Sequence, residues 1–464
     1  MAPPDPNDPG LLSPAQTSLL IDQYELAMAA SYHRRGMNQT AIFELFVRHL
    51  PPQRKWLLAA GIGPALALVE AMRFGAPELE YLEGLGFERP FLDALAELRF
   101  TGDVDAVPEG TVVFANEPLL RVTAPRIEGQ LLETLLLNQV NFQTAIATKA
   151  ARLVLAIGAG TPDRDGRLID FSPRRAHGVD AAVKAARAAA IAGAGGTSNV
   201  AAAMRYGLAP VGTMAHSYVM SFEHERDAFV AFMQDMPHNT VMLVDTYDTL
   251  AGVRHAIEAA RSAGVPLHGV RIDSGDLLEL SRGARRLLDE AGLPDARITA
   301  SGDLEERRIE ELVSSGAPID SWGVGTDLGT SRDAPAVGGV YKLVADRAAG
   351  GVWRGTLKAS PDKATIPGAK QVFRRWSGTQ MCGDVIAAAD EDVEGTPLLV
   401  PVMRGGRRVF REELAAMRAR ALSELEALPA GLRKLGGEAE RPDSYPVDRS
   451  PALRSLANPP KVDG

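Results

Sequence analysis

The chain has 464 residues, of which 45% are hydrophobic and 23% charged, so it is typical of a soluble globular protein and too long for one ordinary domain. Its net charge is −9 and it has no long basic run, which argues against a general nucleic-acid-binding protein but leaves room for a local anion site. Cys382 is the only cysteine, which excludes an intramolecular disulfide and disfavours a cysteine-based zinc site.

The first residues are rich in proline and aspartate, and we predict that residues 1–12 form a disordered tail. This segment lacks the basic start and the apolar stretch of a secretory signal. No apolar run in the chain approaches the roughly 20 residues that a membrane span needs. We therefore expect a cytoplasmic protein whose partners include neither a membrane nor a nucleic acid.

Residues 13–126 predict an N-terminal α+β module. Ser13 is suited to cap a first helix, because its hydroxyl can accept a hydrogen bond from a backbone N–H of the first turn. Residues 41–98 look largely helical. Residues 98–125 contain short β-forming runs separated by turns rich in proline, glycine and asparagine, so the module has a β-rich portion.

A long helical stretch begins at residue 127, and strand and helix patterns then alternate as far as residue 336. The predicted strands are 167–171, 210–214, 241–245, 268–273, 297–301 and 320–324. The predicted helices between them include 178–192, 222–235, 249–263, 276–291 and 304–315. Strands that alternate with helices imply a parallel sheet, and this number of units favours an irregular (β/α) barrel. A doubly wound sheet is the alternative that periodicity leaves open.

Residues 337–464 do not continue the alternation of strands and helices, and we interpret them as a C-terminal segment that packs back on the N-terminal module. A final amphipathic helix is predicted around residues 411–427, before a proline-rich tail. The prediction is therefore an α/β protein, with an irregular (β/α) barrel and an α+β N-terminal module joined by C-terminal segments.

Polar side chains follow several of the predicted strands. His216 follows the segment 210–214, Asp245 ends the next strand, and the motif VRIDSGD follows another. In an α/β barrel the carboxyl ends of the strands converge on one face, where active sites lie. A single histidine is more often a structural residue, but three polar strand ends in series favour an active site.

The remaining strand ends predict a site for phosphates and sugar hydroxyls. Arg174 and Arg175 can neutralise a phosphate or carboxylate, and the glycines of GVGTDL let backbone N–H groups approach an anion. Asp273 and Asp303 can accept hydrogen bonds from sugar hydroxyls or hold Mg²⁺ through water. The sequence contains no histidine and cysteine cluster, which argues against a tightly held transition metal.

Read together, these motifs resemble those of nicotinate phosphoribosyltransferases. The matching segments are IDQYELAMA, DFSPRRAHG, GGTSNVAAAMRYGLAPVGTMAHSYV, VDTYDT, RIDSGD, GVGTDL, KATIPGAKQVFR and LPAGLRKL. They occur in order over most of the chain, and together they are highly specific.

The resemblance implies an enzyme of the salvage route to NAD that makes nicotinate mononucleotide and pyrophosphate from nicotinate and phosphoribosyl pyrophosphate (PRPP). It also implies coupling to the hydrolysis of ATP through a phosphohistidine at His216, with Asp245 fixing the tautomer of the ring. Mg²⁺ is expected to accompany PRPP and ATP, and we assign it no protein ligands. The ATP site is not placed; KATIPGAKQVFR is a basic candidate for it, and a solvated loop is the equal alternative.

The same resemblance implies a homodimer whose subunits share active sites. Nicotinate would lie between Phe171 and Tyr24, with Tyr24 supplied by the partner subunit, and Arg271 would contact its carboxylate or the nearby ribosyl group. Ser198 can donate to a carboxylate, whereas nicotinamide-specific relatives carry an aspartate at this place. The other implied substrate-binding residues are Arg174, Thr197, Asp273, Ser274, Gly275, Ser301, Gly302, Asp303, Gly323, Gly325 and Thr326.

Two alternatives remain, one of them also an enzyme and the other a protein of another class. One is a related transferase that uses nicotinamide or quinolinate, and Ser198 argues against nicotinamide. The other is a barrel that binds phosphorylated metabolites without catalysis, which a turnover assay distinguishes directly.

Overall fold

The structure is a computed structural model that describes residues 12, 16–158, 166–347, 351–357, 365–435 and 445–457. Ser13 and almost all of the predicted tail lie outside these residues. The backbone divides into two compact units, unit 1 (Met1–Ala145 and Ala336–Gly464) and unit 2 (Ile146–Pro335). No helix in the described part of the chain is long and apolar enough to cross a membrane.

The first part of unit 1 contains more strand than the sequence predicts. It begins with a 3-10 turn (Gln16–Leu19), followed by α1 (Gln23–Arg34), β1 (Thr40–Val47), β2 (Leu57–Leu58), α2 (Ile62–Ala71), α3 (Ala76–Gly84), α4 (Arg89–Glu97), β3 (Asp103–Ala106), β4 (Val112–Val113), β5 (Pro118–Pro125) and α5 (Arg126–Gln130). The prediction of a largely helical stretch from residue 41 is therefore wrong for β1. Both faces of β1 are buried, so its sequence shows none of the alternation that marks a strand with one exposed face.

Unit 2 is built on a parallel sheet, as the sequence predicts. Helix α6 (Glu133–Ile157) leads into it. The elements that follow are β6 (Leu168–Asp170), α7 (Val179–Ile191), β7 (Gly196–Thr197), α8 (Val200–Tyr206), α9 (His216–Val219), α10 (Glu225–Asp235), β8 (Val241–Leu243), α11 (Thr249–Ala263), β9 (Gly269–Ile272), α12 (Leu277–Glu290), β10 (Arg297–Ala300), α13 (Glu306–Ser314), β11 (Ser321–Val324) and α14 (Thr326–Thr330). Among the described residues the sheet has six strands, in the order β7-β6-β11-β10-β9-β8. Apolar side chains such as Val270, Ile298 and Trp322 are fully buried in it.

The predicted strand at 210–214 is the exception. Its only pairing in the described chain is an isolated parallel bridge between Pro210 and Thr197. Proline has no N–H to donate to a sheet, and Gly212 weakens any strand that would follow. The parallel sheet is therefore a half-barrel rather than a closed cylinder of regular strands.

The chain then returns to unit 1 through β12 (Gly339–Arg347), β13 (Trp353–Gly355), β14 (Lys370–Ser377), β15 (Gln380–Ala388), β16 (Thr396–Pro397), β17 (Val400–Arg404), β18 (Arg407–Arg408), α15 (Leu414–Ala427), α16 (Ala430–Arg433), β19 (Val447–Arg449) and α17 (Pro451–Ala457). Strand β12 pairs antiparallel with β1 of the N-terminal part. Within the described ranges this gives a seven-stranded antiparallel sheet, β13-β12-β1-β5-β3-β17-β18, and a four-stranded sheet, β16-β14-β15-β19. Unit 1 is thus the β-rich module, with strands from both ends of the sequence.

Candidate functional site

The carboxyl ends of the parallel strands in unit 2 surround a cavity of about 280 Å³. Side chains at the ends of parallel strands meet at one edge of a sheet, which is where ligands bind in α/β proteins. The lining residues are Phe171, Arg174, Arg175, Asp273, Ser301, Gly302, Asp303, Leu304, Glu305, Gly323, Gly325, Thr326, Asp327 and Arg332. Nine of the predicted site residues therefore lie together: Phe171, Arg174, Asp273, Ser301, Gly302, Asp303, Gly323, Gly325 and Thr326. The other predicted site residues do not line this cavity: Tyr24, Thr197, Ser198, His216, Asp245, Arg271, Ser274 and Gly275.

Arg271 joins two of these strand ends. Its Nε donates to Ser301 Oγ at 3.0 Å, and its Nη2 donates to Asp273 Oδ1 at 3.1 Å. Ser301 Oγ also donates to Asp273 Oδ1. Burial alone would raise the pKa of Asp273, but the hydrogen bond from Ser301 and the charge of Arg271 hold it below its ordinary value. Asp273 is therefore an ionised acceptor at neutral pH.

The Phe171 ring is held between Arg271 and the backbone of strand β11. The guanidinium carbon of Arg271 lies 5.5 Å from the ring centroid, within the range of a cation–π contact. A Cβ added at Gly323 would fall 2.4 Å from the ring, so this position needs glycine for the ring to lie where it does. Phe171 thus lines the cavity with its ring beside a cation.

Asp170 organises the segment that contains Thr197 and Ser198. It is buried, and it accepts hydrogen bonds from Thr197 Oγ1 at 2.7 Å and from the Ser172 N–H at 2.9 Å. Burial raises the pKa of Asp170, although these hydrogen bonds oppose the shift. Ser198 donates its backbone N–H to the Asp170 carbonyl at 2.8 Å. The buried hydroxyl of Ser198 has no hydrogen-bond partner among the described residues, and Ser198 does not line the cavity.

His216 begins the short helix α9, and the structure differs here from the prediction. Its Nδ1 shares a hydrogen bond of 3.2 Å with Thr246 Oγ1. The Asp245 carboxylate, predicted as the partner of His216, instead accepts hydrogen bonds from the Asp273 N–H at 3.0 Å and from Ser274 Oγ at 2.6 Å. Spacing along the chain cannot distinguish Asp245 from Thr246, because neighbouring side chains point in different directions. Thr246 is thus a residue that the sequence reasoning missed.

Two glycines shape the turns at the cavity. Gly302 has φ +89°, and a Cβ there would fall 1.8 Å from the Asp273 carbonyl oxygen, so the two strand ends approach each other through backbone. Gly275 has φ +82° in the turn that follows Asp273. Asp303 has φ +44°, a left-handed conformation that aspartate tolerates better than most residues.

Three arginines supply positive charge at the cavity wall. Arg174, Arg175 and Arg332 all line it and are all exposed. None of the three side chains forms an ion pair with a described residue. The site residues predicted from the sequence do not include Arg332. Its position could have indicated it, because it lies six residues after Thr326, in the loop that follows GVGTDL. Unpaired guanidinium groups in a concave site favour an anionic ligand.

Tyr24 belongs to unit 1 and is 48% exposed on helix α1. Its neighbour Glu25 is fully buried and accepts a hydrogen bond from the Thr134 N–H at 3.2 Å. Burial, with a smaller contribution from the nearby Glu133 and against the hydrogen bonds from Thr134, raises the pKa of Glu25 to about 7. Unit 1 therefore carries an exposed aromatic ring next to a buried carboxyl group that titrates near neutrality.

The basic motif of residues 363–374 also belongs to unit 1. Its first two residues lie outside the described ranges. Lys370 Nζ lies 2.7 Å from the buried Glu44 carboxylate, and Arg374 is fully buried against Asp384 at 2.8 Å. Both cations are already paired, so they leave no free charge for a nucleotide.

No group of three or more histidine, cysteine, aspartate or glutamate side chains in the described ranges is arranged to hold a metal ion. The acidic side chains of the cavity, such as Asp273 and Asp303, are the available oxygen ligands for a cation that arrives with a ligand.

Comparison with known proteins gives one consistent result. The sequence matches the nicotinate phosphoribosyltransferase N-terminal domain over residues 19–141 and the nicotinate phosphoribosyltransferase family over residues 167–328. It is 47% identical over 435 residues to a nicotinate phosphoribosyltransferase of Mycobacterium tuberculosis, covering 93% of this chain and 91% of that protein. It is 46% identical over 385 residues to the nicotinate phosphoribosyltransferase of Bacillus subtilis, covering 81% of this chain and 77% of that protein.

A solved structure agrees with these matches. The crystal structure of human nicotinic acid phosphoribosyltransferase is similar with a TM-score of 0.81 and 28% sequence identity, over 94% of this chain and 99% of that one.

Proposed function

Because this chain belongs to the nicotinate phosphoribosyltransferase family, we propose that it forms nicotinate mononucleotide and pyrophosphate from nicotinate and PRPP, in the salvage of NAD and with coupled hydrolysis of ATP. The observation that carries the proposal is the cavity of unit 2, where three unpaired arginines accompany an aromatic ring at the ends of the parallel strands. A substrate with several phosphates and a flat carboxylate-bearing ring is complementary to that combination.

In this proposal nicotinate stacks on Phe171. Arg271 already lies against the ring and would pair with the nicotinate carboxylate or contact the ribosyl group beside it. The unpartnered Ser198 hydroxyl would donate to the same carboxylate, which favours nicotinate over nicotinamide. Tyr24, exposed on α1, would cover the other face of nicotinate from the partner subunit.

PRPP would occupy the rest of the cavity. Asp273 and Asp303 accept hydrogen bonds from the ribose hydroxyls, and Ser301 keeps Asp273 in place. Arg174 and Arg332 neutralise phosphate groups. The remaining proposed contacts are through Thr197, Ser274, Gly275, Gly302, Gly323, Gly325 and Thr326, several of them through backbone N–H groups.

The transfer itself is a displacement at ribose C1. The bond between C1 and the pyrophosphate oxygen breaks with its electron pair on pyrophosphate, and the nicotinate ring nitrogen forms the new bond to C1. The transition state resembles an oxocarbenium ion, so charge develops on the departing pyrophosphate, where the arginines act. Mg²⁺, carried in with PRPP and ATP, would supply further neutralisation of phosphate charge.

His216 is the proposed phosphoryl acceptor. Its Nδ1 is bonded to Thr246, which leaves Nε2 as the nitrogen that attacks the γ-phosphorus of ATP while ADP departs. Water later cleaves the phosphohistidine to give inorganic phosphate. Thr246 orients the ring, while Asp245 holds the Asp273–Ser274 turn.

A homodimer is part of the proposal. Helix α8 exposes two large apolar side chains, Val200 and Met204, which are 72% and 85% exposed. They lie one turn apart on the helix, so they offer a small apolar contact to a partner subunit.

The first experiment measures turnover by the full-length protein with nicotinate, PRPP and Mg²⁺, with and without ATP, and with nicotinamide in place of nicotinate. We expect nicotinate mononucleotide and pyrophosphate, faster with ATP, and little product from nicotinamide. Absence of product in every arm would refute the proposal.

The second experiment tests His216 with γ-labelled ATP. His216→Ala should lose both the acid-labile label and the stimulation by ATP, while basal transfer survives. His238→Ala is the control, because His238 is an exposed histidine to which the proposal gives no role. Full stimulation by ATP in the His216 variant would remove the phosphohistidine from the mechanism.

A further inference from the structure

A buried lysine in unit 2 holds three carboxylates together. Lys149 lies on helix α6, and its side chain is 1% exposed. Its ammonium group contacts the carboxylates of Glu306 and Asp327 and lies 3.1 Å from that of Asp333. Glu306 begins helix α13, Asp327 lies in the first turn of α14, and Asp333 follows in the next loop, so one side chain joins three separate segments.

The chemistry of this cluster requires lysine. An ammonium group has three N–H donors, and each can point at one of the three carboxylates. The planar fork of an arginine could not serve three acceptors arranged around a point. Burial would lower the pKa of Lys149, but the three carboxylates raise it above its ordinary value, so the group is charged.

The cluster adjoins the cavity at each of its three segments. Asp327 itself lines the cavity. Glu306 follows directly after Glu305, and Asp333 follows directly after Arg332, both of which line it. Arg152, one turn along α6, pairs with Glu306 through Nε at 3.0 Å from Oε1. Without Lys149, Asp327 would lose the cation that it contacts, at the wall of an anion site.

We propose that Lys149 is a positioning residue for PRPP, an inference that rests on the proposed function. It neutralises the carboxylates next to the cavity and keeps them turned away from the substrate phosphates. It touches neither substrate nor the reacting atoms, and it acts through Asp327 and the segments that carry Glu305 and Arg332.

The test compares PRPP binding, by calorimetry in the presence of Mg²⁺, among the full-length protein and its variants. Lys149→Met should raise the dissociation constant for PRPP by about tenfold to a hundredfold, because an uncompensated carboxylate then lies near the bound anion. The KM for PRPP should rise accordingly, with a much smaller change in the kcat of basal transfer. Arg152→Met is the matched control, since it removes a neighbouring cation of the cluster whose ion pair is with Glu306; it should lower the melting temperature and leave PRPP binding within about threefold.

A second change should restore binding. Lys149→Met combined with Asp327→Asn removes the negative charge at the cavity wall, so PRPP should bind at least about threefold more tightly than to Lys149→Met alone. A generic loss of stability predicts the opposite, a double variant weaker than the single one. Equal binding by Lys149→Met and the parent, or an equal loss in Arg152→Met, would overturn the role of Lys149.

Asp333→Asn gives a measurement that does not depend on whether Lys149→Met folds. It keeps the lysine and removes one carboxylate that is 24% exposed, so PRPP should bind as tightly as to the parent or more tightly. Binding weakened fivefold or more would contradict the proposal. If the parent itself neither binds PRPP nor forms product, the proposed function fails; if the parent binds PRPP and only the variant predictions fail, the role of Lys149 alone is rejected.

Discussion

Two sets of basic residues in this protein have opposite surroundings. In unit 1, Lys370 and Arg374 are buried, and each is paired with a carboxylate. In unit 2, Arg174, Arg175 and Arg332 are exposed along a cavity and have no ion-pair partner among the described residues. The unit 1 pair belongs to the more conspicuous basic motif in the sequence. A basic motif in a sequence therefore indicates an anion site only when its cations are not already paired with carboxylates of the same protein.

The largest expected effect concerns Arg374, one of the two buried and paired cations of unit 1. Arg374 donates to Asp384, to Glu424 and to the Val112 carbonyl, all inside unit 1. Arg374→Met leaves the buried carboxylates without a counter-ion and should lower the free energy of unfolding by about 3–5 kcal/mol. Differential scanning fluorimetry and chemical denaturation measure the loss.

Arg404→Met is the control for that variant. Arg404 also pairs with a carboxylate, Asp105, but its side chain is 39% exposed, so the loss should be at most about 1 kcal/mol. Equal losses in the two variants would mean that burial does not distinguish these ion pairs.

The next effect concerns the exposed arginines along the cavity of unit 2. Arg332→Gln should raise the KM for PRPP by about tenfold to a hundredfold, because a charge-assisted contact to phosphate is lost. Its melting temperature should stay close to that of the parent, because an exposed arginine without a partner stabilises the fold little. Arg286→Gln is the matched control, since Arg286 is exposed on α12 and does not line the cavity. A loss of stability without a change in the KM for PRPP would mean that Arg332, like Arg374, stabilises the fold and does not bind the substrate.

The smallest effect extends the comparison to a buried acid, Glu25. Its pKa of about 7 in the folded protein lies above the value of 4.5 in the unfolded chain, so the folded state keeps a proton that the unfolded state releases. Stability contributed by this group is therefore full below about pH 4.5 and declines as the pH rises towards 7. Glu25→Gln removes that dependence and should raise the free energy of unfolding at pH 8 by about 1–2 kcal/mol.

Melting temperatures from pH 5 to pH 8 test this for Glu25→Gln, with the exposed Glu83→Gln as control. The two curves for Glu25→Gln and the parent should converge at the acidic end. Parallel curves over the whole range would show that Glu25 does not titrate in this window.

Much of unit 2 could be predicted from the sequence. The strands β9, β10 and β11 are short apolar runs followed by polar residues, and repeated alternation with helices implies parallel pairing. Strand β1 could not be recognised in this way, because both of its faces are buried and its sequence therefore lacks the alternation of a strand with one exposed face. The segment 210–214 was predicted as a strand from its apolar residues, although Pro210 and Gly212 prevent regular pairing there.

The candidate site was predictable at the level of strand ends but not of contacts. Arg271, Asp273 and Ser301 stand at the ends of adjacent strands, so their proximity follows from the fold. The contact of His216 with Thr246 depends on the direction of side chains beyond the end of β8, which no spacing rule supplies. Lys149 gave no signal, because one lysine in an apolar helix is usually assigned to the surface.

The contact between Gly323 and Phe171 has an evolutionary consequence. Every amino acid other than glycine carries a Cβ, and a Cβ at this position would fall 2.4 Å from the ring. A side chain at residue 323 therefore requires Phe171 to move or to be replaced by a smaller residue, whereas Phe171 can be made smaller while Gly323 is kept. The order of change is thus constrained: in a lineage or in a library, a smaller residue at 171 must precede or accompany any side chain at 323.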